Sequence, residues 1–452
     1  MNLYFINFCL LLAVPSVHAF LFSSPSVSQS SSTTKRHSTT QTTSSSTTST
    51  MSYLDAIPQG PPDAILGIAQ AFGNSKAPNK VNVCVGAYRD EHGNPWVLPS
   101  VKEAEEQLLG TNKEYLSIEG DTVFIEKALR FAYGATSDLT KLAGVQSLSG
   151  TGACRIGGAL LARFFGDKEI YIPNPTWGNH MAIFKDAGLS FQRYRYYTRQ
   201  TNGLDFDGLM EDISAAKDAS VILLHACAHN PTGCDPTQDQ WKLIATLCQQ
   251  KKHIVFFDSA YQGFASGDSE QDAFALRYFV DQDIPVMLAQ SFAKNFGLYG
   301  ERCGTFSIVC RDKVQRDIIM SQLKLVIRPM YSSPPKHGAA IVRTVLSDDR
   351  LTKQYYTECQ QMASRIQKMR IALVETLAKV GSTHDWSHVA SQIGMFAYTG
   401  MNQDMCDALT ANHAIYLTRD GRISIAGLND GNVEYVAKAI HAVTDGKSIT
   451  EE

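Results

Sequence analysis

Between Ser147 and Gly304 the chain alternates short apolar runs with amphipathic stretches. The runs are EIYIPN (169–174), SVILLHACAHN (220–230), HIVFFDSAY (253–261) and VMLAQSFAK (286–294). Runs of this length, apolar at consecutive positions, predict strands buried on both faces. With helical stretches between them they form βαβ units, an α/β fold with a mostly parallel sheet. Each run ends in polar residues, where open α/β sheets place their ligands. Tyr355 to Val380 carries apolar residues at helical spacing, predicting a long helix that leads to a C-terminal subdomain. No repeat of solenoid period is present.

The first fifty residues follow another pattern. They contain no Asp or Glu, and their second half is mostly Ser and Thr. Leu3 to Val14 is an apolar run broken by Asn7, too short to span a bilayer but suited to a signal-peptide core. Val17 and Ala19 precede a plausible cut before Phe20. The Ser/Thr tract with Lys35 and Arg36 that follows resembles the two-part presequences of algae with secondary plastids. A plastid address is therefore expected, with a mitochondrial one as the alternative.

Composition narrows the function. The 41 basic and 44 acidic residues balance to a formal charge of -3, which argues against a polyanion-binding surface. Nucleic acid is not an expected partner. Ten cysteines occur without a CxxC pair or a Cys/His ligand spacing, so reduced thiols and no metal site are expected. Beyond the leader no apolar run reaches membrane-spanning length.

Three strand ends and one helix start hold the candidate chemistry. Ser149-Gly150-Thr151-Gly152-Ala153 follows VQSL and opens an amphipathic stretch, so its backbone N–H groups can receive a phosphate; a plain helix cap has the same pattern. Asn230 before Pro231 presents an amide at a strand edge, although Asn-Pro is also a common loop dipeptide. Asp258 closes the run IVFF, where a buried carboxylate needs a partner and where an N-cap is the bland alternative. Lys294, in SFAKNFGLYGER, stands where low dielectric lowers an amine pKa and makes it a nucleophile toward carbonyls.

Taken together, NPTG, DSAYQGF and SFAKNFGLYGER resemble the class I aspartate aminotransferases, almost continuously from Asp63 to Asp445. The resemblance implies a pyridoxal-phosphate-dependent transferase of fold type I. Such a chain has a mainly parallel seven-stranded sheet in a large domain and a smaller α/β domain. It divides this chain into a leader (1–50), an arm with part of the small domain (51–95), the large domain (96–355) and the C-terminal small domain (356–452). It implies that Lys294 carries the cofactor as an internal aldimine and moves the substrate proton, and that Asp258 pairs with the ring nitrogen. Tyr261 and Asn230 are implied to meet the ring's phenolic oxygen. Gly150, Thr151, Ser291 and Arg302 would hold the phosphate. Trp177 would stack on the ring, and His180 would orient Asp258.

The same resemblance supplies the substrate side. Arg422 in GRISIAGL would bind the α-carboxylate, with Gly86, Trp177 and Asn230 lining the cleft. Arg328 in IRPMYSSPP would reach the distal carboxylate across a homodimer, and Tyr115 would reach the neighbouring cofactor phosphate. Aspartate, glutamate, 2-oxoglutarate and oxaloacetate are the implied substrates of a ping-pong transamination. Ser333, Gly300 and Cys154 depart from the family pattern without removing a reacting group. An aromatic or broad-specificity aminotransferase, and a lyase or decarboxylase sharing Lys294 and Asp258, remain open at this stage.

Overall fold

The computed structural model describes residues 53–60, 66–167, 169–447 and 449. The expected leader lies outside them. The chain divides into two units at Gly60/Pro61. In the first, Tyr53–Ala56 forms a single 3-10 turn. All further elements belong to the second.

Seven strands form its central sheet: β1 (Leu142–Leu148), β2 (Ile170–Asn174), β3 (Phe191–Arg195), β4 (Val221–His225), β5 (Ile254–Ser259), β6 (Val286–Ser291) and β7 (Cys303–Val309). Their order is β1-β7-β6-β5-β4-β2-β3. The pairs β6/β5, β5/β4, β4/β2 and β2/β3 are parallel, whereas β7 runs antiparallel to both neighbours. Parallel neighbours require a crossover element, but the short 292–302 segment joins β6 to β7 without one, and the direction reverses. That segment is therefore held on the edge where the parallel strands end.

The unbroken apolar runs are explained by cover on both faces. Val221 and Leu223 belong to one buried cluster with Phe256, Met287 and Phe306. Ile222 and Leu224 belong to the other with Phe257 and Leu288. Each fully buried side chain of this size contributes roughly 1.5–3 kcal/mol. Helix α1 (Ser149–Phe165) starts directly where β1 ends, with no intervening loop.

The expected helix is longer than its apolar pattern. Helix α2 runs from Asp349 to Lys379 because the Asp348 side chain caps it, accepting from Arg350 and Leu351 N–H. It continues through residue 355. Its Tyr355 ring stacks on Phe296 at 4.0 Å, and the helix packs against α3 (Val433–Thr444). Two short strands, β8 (Phe396–Tyr398) and β9 (Arg422–Ser424), pair antiparallel beside it. No helix among the described residues is long and apolar enough to cross a membrane.

Candidate active site

Parallel register brings His225 at the end of β4 beside Asp258 near the end of β5, and Asp258 beside Ala289 of β6. A buried carboxylate there needs donors. His180, fully buried, supplies one: its Nε2 is 3.0 Å from Asp258 Oδ2. The chain of bonds behind it has a fixed direction. Asn230 N–H can only donate, and it meets His225 Nδ1 at 3.2 Å. Burial, then the field of His180, pushes His225 down to about 3, so its ring is neutral and its proton sits on Nε2. Nε2–H donates to Thr176 Oγ1 at 3.1 Å, and the Thr176 hydroxyl donates to His180 Nδ1 at 2.9 Å. His180 Nε2–H is left to face Asp258. Burial alone would raise Asp258, but the hydrogen bond from His180 leads the effects that lower it. The carboxyl ends below its ordinary value.

Lys294 lies in the turn after β6, where two aromatic anchors fix the backbone. Phe292 packs edge-on to Phe124 and Phe296 stacks on Tyr355. Gly297, at φ +64, closes the turn by donating to Lys294 O. The half-buried Lys294 Nζ donates to the Gly86 carbonyl at 2.5 Å. Burial first, then Arg422 and Arg302, lower the amine from its ordinary value to about 8. About a tenth of the amine is therefore neutral at pH 7.

At the start of α1, Leu148 makes no side-chain cap bond. Ser149 takes φ 59 and its hydroxyl lies 2.8 Å from the Ser291 hydroxyl. A Cβ on Gly150 would stand 3.3 Å from Ser291 Cβ and 3.9 Å from Asp258 Oδ1, so helix start, serine and carboxylate border one space. Thr151 is in the same first turn. Arg302, exposed and at φ 51, donates from Nη1 to Tyr299 O.

Arg422, only 5% exposed, donates to Asn230 Oδ1 at 3.3 Å and to Cys84 O at 3.2 Å. Its guanidinium lies 4.2 Å from the Phe396 ring centroid. Its Nε has no hydrogen-bond partner among the described residues. Tyr261 is buried nearby. Burial pushes its hydroxyl above the usual value, Arg422 opposes this and Asp258 adds to it. Trp177 is half-buried and edge-on to His180 at 5.2 Å.

Two expected site residues stand apart. Arg328, at the C-terminal end of a helix (Lys313–Ile327), is exposed and donates to Ser332 Oγ at 2.6 Å. Tyr115 is 87% exposed. Neither contacts the Lys294 cluster within this chain. Conversely, the sequence did not single out Thr176, His225, Tyr299 or Phe396. His225 and Tyr299 lie inside motifs already noted, and polarity at a strand end was the signal available for His225. Phe396 carried none. Cys154 Sγ lies with the His180 and Asp258 ligand atoms within 4.8 Å. Burial, then Asp258, holds that thiol neutral.

The family model for aminotransferase class I and II matches residues 78–440. The chain is 51% identical over 393 residues to the mitochondrial aspartate aminotransferase of Dictyostelium discoideum, covering 86% of this chain and 92% of that protein. The structure of a mitochondrial aspartate aminotransferase from Trypanosoma brucei superposes with TM-score 0.82 at 45% identity, covering 84% of this chain and all of that one. An aromatic-amino-acid aminotransferase from Burkholderia pseudomallei, covalently bound to pyridoxal phosphate, gives TM-score 0.85 at 38% identity, over 87% and 100%. The chain belongs to the class I and II aminotransferases, a family whose cofactor is pyridoxal phosphate.

Proposed function

We propose that the chain is an aspartate aminotransferase that exchanges the amino group between L-aspartate and 2-oxoglutarate, giving oxaloacetate and L-glutamate. The observation that carries this reading is the set of groups gathered at one sheet edge: a lysine lowered to about 8, a half-buried carboxylate held ionised, and a helix start beside Ser291. These residues fit pyridoxal phosphate. Among the described residues no lysine or arginine pairs with Asp258, which suits a protonated ring nitrogen. The uncapped first turn of α1, with Gly150, Thr151, Ser291 and Arg302, suits a phosphate. Trp177 would cover the ring, while Tyr261 and Asn230 would meet its oxygen.

When bound, the cofactor supplies the electron sink that lets an amino acid's Cα–H bond ionise. Arg422 Nη groups would hold the α-carboxylate as a fork, with the buried Nε available as a further donor. Lys294 Nζ, partly neutral, would take the Cα proton. Gly86 leaves room on the substrate side, where a Cβ would meet Phe396 at 2.6 Å. Arg328 and Tyr115, exposed here, would complete the site of a second copy in a homodimer, Arg328 reading the distal carboxylate.

The test is one spectrum of the purified, cofactor-loaded protein before and after adding aspartate. Loss of the aldehyde-form absorption and its return with 2-oxoglutarate are expected, and release of ammonia or carbon dioxide instead would mean lyase or decarboxylase chemistry. The likeness to the Burkholderia aromatic enzyme favours a second reading, in which aromatic amino acids are also taken. Rates with phenylalanine and aspartate separate the two.

Localisation has two readings for a defined reason. The Dictyostelium and Trypanosoma relatives are mitochondrial forms, which supports a mitochondrial address. The acid-free leader with Ala19-Phe20 supports a plastid. A fluorescent protein fused behind residues 1–50 in an alga with secondary plastids decides between them.

A further inference from the structure

An amine that moves protons must be free of the cofactor at that moment, and a free lysine side chain is long and flexible. It has three N–H donors to place. Lys294 Nζ donates to the Gly86 carbonyl and lies over the Tyr299 ring, whose centroid is 5.0 Å away. That ring face is a second partner for an ammonium, since its negative quadrupole attracts a cation.

Tyr299 is tied at three points. Its hydroxyl accepts from Tyr88 N–H at 2.7 Å, and its own carbonyl accepts from Arg302 Nη1 at 3.0 Å. Its ring faces Lys294. The bond to Tyr88 matters because Tyr88 ends the Gly86–Tyr88 segment, so the same hydroxyl that fixes the ring also fixes the carbonyl facing the amine. Tyr88 is further held by Trp96 at 5.5 Å and by the Arg365 guanidinium at 5.3 Å. Segment and ring therefore form one rigid unit.

We propose that Tyr299 is a positioning residue that seats the free amine of Lys294 between the Gly86 carbonyl and its own ring face. This rests on the reading of Lys294 as the cofactor-bearing lysine. The seat returns the amine to one place after each transfer, which preserves proton-transfer geometry. Burial, Arg422 and Arg302 all disfavour the ammonium at this position, whereas a carbonyl acceptor and an aromatic face are contacts that favour a cation.

The test uses the full chain loaded with pyridoxamine phosphate, in which the amine is free. Trace labelling with acetic anhydride from about pH 6 to 10, read at the Lys294 peptide by mass spectrometry, gives its titration midpoint. Tyr299→Leu removes the ring face, and the midpoint should fall by roughly half to one pH unit, which from about 8 raises the neutral fraction about 3–5-fold at pH 7. Tyr299→Phe keeps the face and loses the hydroxyl. Its midpoint should stay near wild type, while hydrogen exchange at the Tyr88 amide rises about tenfold or more. A wild-type midpoint in Tyr299→Leu overturns the seat, and so does unchanged Tyr88 exchange in Tyr299→Phe, which stands even if the leucine variant does not fold. Equal labelling of Lys294 in protein loaded with pyridoxal phosphate would instead refute its assignment as the cofactor-bearing residue.

Discussion

His180 Nε2 stands 3.0 Å from Asp258 Oδ2, and both side chains lie at the end of a hydrogen-bond chain that starts at the Asn230 amide. Because the folded-state value of Asp258 is below its ordinary one, its stabilising contribution is present above the ordinary carboxylate value. It is lost as pH falls through the folded value. Replacing His180 by alanine leaves burial as the dominant effect, which raises the carboxyl. In acid titration followed by cofactor absorbance, His180→Ala should release cofactor at a higher pH than wild type. Asp258→Ala should lower kcat by roughly 10²–10³-fold, the range for loss of one preorganised electrostatic group. Wild-type turnover in that variant refutes the role.

Lys294→Ala should abolish turnover, and borohydride reduction should fix cofactor to the Lys294 peptide only in wild type. A second consequence concerns the cofactor-free chain. Folding lowers this amine from 10.5 to about 8, so the folded state bears a cost for the ammonium. That cost is full below about pH 8 and is relieved as pH rises toward the unfolded value. Lys294→Met should therefore stabilise the cofactor-free protein at pH 7 by about 1–3 kcal/mol, discounted for partial solvation. The gain should shrink toward pH 10.5. Denaturant midpoints across that range check it; a gain independent of pH contradicts the lowered amine.

Gly86 lies against the ring that supports Arg422. A methyl there would stand 2.6 Å from Phe396 Cζ, and that ring lies under the Arg422 guanidinium. Gly86→Ala should displace Phe396 and misplace the fork, raising KM for aspartate and glutamate alike about 10-fold or more, with a smaller change in kcat. Steady-state kinetics with both substrates measure this. An unchanged KM would mean that the ring moves freely.

Arg328 is exposed in the single chain, so the role proposed for it requires a second copy. Arg328→Ala should lose roughly 10⁴-fold in kcat/KM for aspartate, as for a site left with an unpaired polar group, and far less for phenylalanine. The ratio of the two specificity constants in wild type and variant is the measurement. An unchanged ratio makes Arg328 a surface arginine and promotes the aromatic reading.

Much of the sheet, and several residues of the candidate site, were legible in the chain. The four apolar runs became β2, β4, β5 and β6 because strands covered on both faces cannot hide a polar interruption until they reach the edge. Lys294, Asp258 and Asn230 were visible for the same reason, as polar residues at the ends of such runs. The helix at Tyr355–Val380 was read short, since its first turn owes its start to the Asp348 cap and not to apolar spacing.

Local sequence thus determined which strands form and which of their ends are polar, because burial and backbone hydrogen bonding act over a few residues. Tertiary structure decided which ends meet. The antiparallel placement of β7 holds the 292–302 segment on the edge with Asp258. Register sets His225 beside that carboxylate, and the remote β9 brings Arg422 to Asn230 across 192 positions of sequence. The value of about 8 for Lys294, the ionised state of Asp258 and the place of Tyr299 follow from fields and contacts between segments far apart in the chain. No spacing of residues along the sequence encodes such distances, since they exist only once the sheet and the elements packed on it have closed around the site.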